Sequence, residues 1–102
     1  MSFYQGFPQK SFSEVSSILA ETGHESILEH LSESGGKYSI SLPANQISPL
    51  PTYKFAIACT LASLGNIQLA EIVCPNPEAF VAEDWGDNIS RDLVSRFKLE
   101  EN

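Results

Sequence analysis

Phe55-Ala-Ile-Ala-Cys-Thr-Leu-Ala-Ser-Leu-Gly-Asn-Ile-Gln-Leu-Ala70 is the stretch around which the rest of the chain is arranged. These sixteen residues carry no charge, lie between Lys54 and Glu71, and include eleven that are Phe, Ile, Leu, Ala or Cys. An acidic chain cannot leave such a run in water, so the other elements are expected to cover it. Phe55 to Leu64 is apolar on all sides, the pattern of a central buried helix. Pro51-Thr52-Tyr53 opens it, because a proline at the first helical position sacrifices no hydrogen bond. Ala56, Ala58 and Ala62 let neighbouring helices come close, Gly65 caps the helix, and Asn66 starts the next segment. Ile67 to Cys74 reads as a second helix antiparallel to the first, with a strand as the alternative because Gly-Asn also suits a tight β-turn.

Upstream, Ser11-Phe-Ser-Glu14 is a capping box: the Ser11 hydroxyl accepts from the amide three residues on, and Glu14 reaches back. Val15, Ile18, Leu19 and Thr22 mark the buried face of the helix that follows. The next apolar set, Ile27, Leu28 and Leu31, falls nearly opposite if that helix continues. Gly23 stands at the phase change as a left-handed cap, so a second helix is expected from near His24 to just before Gly35-Gly36. On it Glu25, Glu29 and Glu33 recur at i, i+4 and i+8 and share the face opposite the apolar set. Like charges so spaced weaken a helix by a few tenths of a kcal/mol per pair, which suggests a stripe kept for a partner; a solvated outer face is the plainer reading.

Downstream of Gly35-Gly36, Lys37 to Leu42 alternates polar and apolar and predicts a strand with Tyr38, Ile40 and Leu42 on one side. Its partner is expected in residues 1–7 or in Ile67 to Cys74. Leu42 to Pro51 is an irregular extended loop. In Cys74-Pro-Asn-Pro-Glu78 a stop precedes a new start, with Asn76 as N-cap and Pro77 at the first helical position. A last helix is expected from Asn88 to Lys98, with Ile89, Leu93, Val94 and Phe97 on its apolar face and Arg91, Arg96 and Lys98 towards its C-terminal half.

Phe3, Tyr4 and Phe7 crowd the first ten residues and predict an arm laid across the core; left exposed, they would anchor in a partner's pocket. The expected organisation is an arm over residues 1–10 and one helical domain over 11–102. The expected fold is mainly α, with four or five short helices packed around the central apolar helix and one or two short strands; the alternative is α+β with a small antiparallel sheet.

Thirteen acidic against six basic residues give a net charge of -7 in 102 residues, which repels nucleic-acid phosphate and anionic membrane and favours a basic protein partner. The apolar run is too short and too interrupted to span a membrane, and MSFYQGFPQK lacks the pattern of a signal peptide, so the cytoplasm is the expected compartment. Cys59 and Cys74 lie in apolar segments and read as reduced core thiols. Spacing of six puts His24 and His30 about 120° apart on a helix, wrong for joint metal ligation. Glu83, Asp84 and Asp87 surround Trp85 and Gly86 without the spacing of a calcium loop. Phosphate loops and nucleophile elbows are missing, so no cofactor, metal or catalytic residue is assigned. The expected function is a small acidic protein-binding module, of the inhibitor, adaptor, chaperone or immunity type, docking through Glu25, Glu29 and Glu33 or through Phe3, Tyr4 and Phe7. A DNA-mimic inhibitor and a cysteine-dependent enzyme are the two alternatives from other classes.

Overall fold

The computed structural model describes residues 3–41, 51–77 and 88–98. The expected readings of the 42–50 loop, of the helix start beyond Pro77, and of the Glu83, Asp84, Trp85 and Asp87 turn lie outside these residues. In chain order the described elements are a 3-10 turn (Phe3–Gly6), α1 (Phe12–Glu21), a 3-10 helix (Glu25–His30), β1 (Leu31–Ser34), β2 (Lys37–Ile40), α2 (Pro51–Ser63), α3 (Ile67–Val73) and α4 (Asn88–Lys98). The protein is mainly α with one small antiparallel sheet.

α2 is the centre of the core. Every residue from Phe55 to Leu64 is buried, and α3, α4 and the N-terminal 3-10 turn all pack against this helix. A helix with no polar side needs cover on every side, and three elements supply it. The Thr60 hydroxyl donates to the Ala56 carbonyl one turn back at 2.8 Å, which satisfies a polar group that would otherwise be costly to bury. After Leu64 the chain reverses: the Gly65 amide bonds the Ala62 carbonyl and the Asn66 amide bonds the Leu61 carbonyl, the two bonds of a Schellman stop. Asn66 then caps α3, its side chain accepting from the Leu69 amide at 3.2 Å. Ile67 to Cys74 is therefore a helix and its C-cap, not a strand.

α1 opens on the capping box. The Ser11 hydroxyl accepts from the Glu14 amide, and the Glu14 carboxylate accepts from the Ser11 amide. Val15, Leu19 and Thr22 are buried along one face, with Ile18 half-buried. Gly23 ends the helix at φ +80°, with the His24 amide on the Leu19 carbonyl at 2.8 Å and the Gly23 amide on the Ala20 carbonyl. That left-handed conformation costs a residue with a Cβ about 1–2 kcal/mol, so glycine is the residue that lets the chain turn here.

Beyond Gly23 the structure corrects the expectation of a second helix reaching Gly35. Six residues form a 3-10 helix, and Leu31–Ser34 is a strand paired with Lys37–Ile40 in the register Leu31↔Ile40, Ser32↔Ser39, Glu33↔Tyr38, Ser34↔Lys37. The strand partner is therefore neither residues 1–7 nor Ile67 to Cys74. Gly35 (φ +60°) and Gly36 (φ +82°) are both left-handed, as a two-residue type I′ turn demands, so residues 31–34 satisfy their backbone by pairing across it. Ser32 and Ser39 also share a cross-strand hydroxyl bond at 3.0 Å. A continuous helix would instead have stacked three carboxylates one turn apart.

Candidate functional site

The aromatic arm is part of the core. Tyr4 is 1% and Phe7 6% exposed, and Phe3 is half-buried. The Phe3 ring meets Tyr4, Phe7 and Phe55 with centroids 5.5, 5.4 and 5.9 Å apart. The Tyr4 hydroxyl donates to the Cys74 carbonyl, and the Lys98 ammonium sits 4.4 Å above the Phe3 ring. Tyr4 and Phe7, buried in this cluster, are not available as exposed partner anchors, and Phe3 lies half-buried beside them on Phe55. The arm reading is the one the structure carries.

Glu25, Glu29 and Glu33 are all exposed, but they do not form one stripe. At three residues per turn, Glu25 and Glu29 point about 120° apart on the 3-10 helix. Glu33 lies beyond them on β1, where its carboxylate accepts from the Gly36 amide at 2.8 Å and steadies the hairpin turn. The shared helical face on which the stripe depended is absent because the helix ends at His30. What remains is one continuous stretch, 25–33, that carries three carboxylates and neither lysine nor arginine. None of the three makes an ion pair with a described residue. Two described cations are engaged elsewhere: Arg96 pairs with Glu21 and with Asp92, and Lys98 covers Phe3 and Phe7.

The hairpin that follows leans on the body through β2. Tyr38, Ser39 and Ile40 are half-buried, whereas Ser32, Glu33 and Ser34 of β1 are exposed. Phe12 stacks on Tyr38 at 5.5 Å with an interplanar angle of 20°. Asn66, while capping α3, donates from Nδ2 to the Tyr38 carbonyl at 2.5 Å. This one side chain ties the hairpin to the core helices. The tie leaves no trace in the sequence, since an N-cap asparagine looks the same whatever its amide nitrogen bonds.

Chemistry at the thiols is constrained by burial. Cys59 is fully buried and Cys74 nearly so, and the two are not joined in a disulfide. Burial first, and the neighbouring Cys74 second, push the Cys59 thiol well above its ordinary pKa, with Lys98 acting in the opposite direction. Burial of this kind disfavours the thiolate, the reactive form of the group. His24 is buried with its Nδ1 3.2 Å from the Thr22 hydroxyl and its ring 6.4 Å from that of Tyr53, whose hydroxyl bonds Ser26. Among the described residues no three His, Cys, Asp or Glu side chains come together as metal ligands, and no helix is long and apolar enough to cross a membrane. Comparison with protein-family models, with curated proteins and with solved structures yields no match.

Proposed function

We propose that this chain is a small acidic protein-binding module, of the inhibitor, adaptor, chaperone or immunity type, that docks a basic surface of a partner protein and performs no catalysis. The observation that carries the reading is the 25–33 stretch, where Glu25, Glu29 and Glu33 stand exposed and without a described cation. A net charge of -7 adds a long-range field that steers basic surfaces towards the protein and keeps nucleic acid away. Docking without chemistry is supported by the buried, protonated state favoured for Cys59. Two cysteines left as thiols suit a reducing compartment, and the cytoplasm is the proposed location. The evenly spaced carboxylates that a DNA mimic would present are not formed, so that reading gains no support from the geometry.

The test is affinity capture from the cells that make the protein, read by mass spectrometry, with the wild-type chain and with the Glu25→Gln/Glu29→Gln/Glu33→Gln variant side by side. The reading expects a protein with a basic surface that the wild type retains, that salt elutes, and that the variant retains poorly. Identical captured sets for the two chains would contradict it.

A further inference from the structure

We propose that the outer edge of β1 takes up an extended, basic segment of the partner as an added strand, a mode of docking that rests on the acidic-module reading and deepens it. In a hairpin closed by two residues, Ser34 and Lys37 form the first hydrogen-bonded pair and Ser32 and Ser39 the next. The Ser41 amide on the His30 carbonyl at 2.8 Å continues that alternation. Leu31 and Glu33 on β1, and Tyr38 and Ile40 on β2, therefore turn their backbone groups outward.

The two edges differ. On β2 the outward Tyr38 carbonyl is occupied by Asn66, and the strand is half-buried. On β1 the Leu31 amide is taken by the Leu28 carbonyl, while the Leu31 carbonyl and the Glu33 amide and carbonyl have no partner among the described residues. An antiparallel strand laid there exchanges two hydrogen bonds with Glu33 and gives one N–H to Leu31. Leu31-Ser-Glu-Ser34 is short and has neither lysine, proline nor bulge; its one charge, Glu33, turns away an acidic strand and leaves the edge open to a basic one.

Charge chooses the occupant. Glu33 on the strand and Glu29, two residues before the strand begins, are exposed carboxylates, so an incoming strand that carries lysine or arginine is favoured. A second copy of this chain is disfavoured, because edge-to-edge pairing would bring the same carboxylates together.

The experiment is titration of the full chain with a synthetic peptide of about seven residues alternating lysine and valine, followed by amide NMR. Two comparisons accompany it: the same peptide with alternate backbone amides N-methylated, and the variants Glu33→Gln and Glu33→Pro. Proline at 33 removes the outward-facing amide and, with the side chain, the acceptor of the Gly36 amide, but no bond of the hairpin ladder, which an edge strand tolerates. The expected results are a shift of the Glu33 amide on binding, loss of binding by the N-methylated peptide, and affinity about tenfold weaker for Glu33→Pro than for Glu33→Gln. Equal binding by the N-methylated peptide overturns strand addition and leaves the acidic-module reading intact, because charge alone then holds the peptide. Absence of any Glu33 amide shift, or dimerisation of the free chain through β1, also overturns it. The wild-type comparison of the two peptides decides the matter even if Glu33→Pro fails to fold.

Discussion

Tyr4 donates its phenolic hydrogen to the backbone carbonyl of Cys74 at 2.7 Å, joining two positions seventy residues apart. The N-terminal turn is thus fastened to the far end of the helical pair α2–α3, and its rings complete the cover over Phe55. Tyr4→Phe keeps the ring and removes the donor, and is expected to lower stability by about 1 kcal/mol in urea unfolding. Tyr4→Ala also opens a cavity and is expected to cost about 3–5 kcal/mol. Two near-neutral variants would mean that the arm does not belong to the core.

Gly23 separates α1 from the 3-10 helix in a left-handed conformation, and a Cβ built there meets no atom within 4 Å. The cost of Gly23→Ala is therefore conformational, about 1 kcal/mol or somewhat more, and it lowers the thermal midpoint. A raised midpoint would show that the helix runs on through residue 23.

Asn66 serves two elements at once, and two substitutions separate its roles. Asn66→Asp keeps the oxygen that caps α3 but loses the donor to Tyr38; Asn66→Ala loses both. Hydrogen exchange in β1 and β2 is expected to accelerate in both variants, while only alanine adds the loss of the cap, about 1 kcal/mol. Unchanged hairpin protection in Asn66→Asp would show that the amide tie does not hold the hairpin.

Much of the fold is legible in the sequence, and the exceptions share a cause. Phe55 to Leu64 declares itself because uniform apolarity needs no knowledge of neighbours. Ser11 with Glu14, and the glycine stops at 23 and 65, are read from a few adjacent residues. The hairpin is misread because Ile27, Leu28 and Leu31 imitate helical spacing, so the turn at Gly35-Gly36 reads as joining a helix to a strand when it joins two strands. The exposure of Glu25, Glu29 and Glu33 is legible from charge alone, but their mutual direction depends on whether the backbone is α, 3-10 or extended. Phe3, Tyr4 and Phe7 have the same composition whether they anchor a partner or fill a core. Only the packing on Phe55 and the bond to Cys74 distinguish the two.

The Cys59 thiol gives a pH dependence with a definite sign. Its folded pKa is raised by burial, so above the unfolded pKa the unfolded chain loses the proton while the folded thiol holds it. The contribution is complete below the unfolded thiol pKa, about 8.5, and is lost as pH rises above it, by up to about 1.4 kcal/mol per pH unit. Denaturation followed from pH 7 to 10 is expected to show a steeper decline for the wild type than for Cys59→Ala, whatever their difference at neutral pH. Parallel curves would show that Cys59 ionises as readily folded as unfolded.

The central claim is that the 25–33 carboxylates meet a basic partner, and association kinetics against ionic strength test it most directly once the captured partner is purified. Glu25→Gln/Glu29→Gln/Glu33→Gln is expected to leave the fold intact, slow association, and flatten its dependence on salt, because exposed charges of this kind act mainly on the on-rate. An unchanged association rate with an unchanged salt dependence would contradict the account and make these three glutamates a solvated surface only.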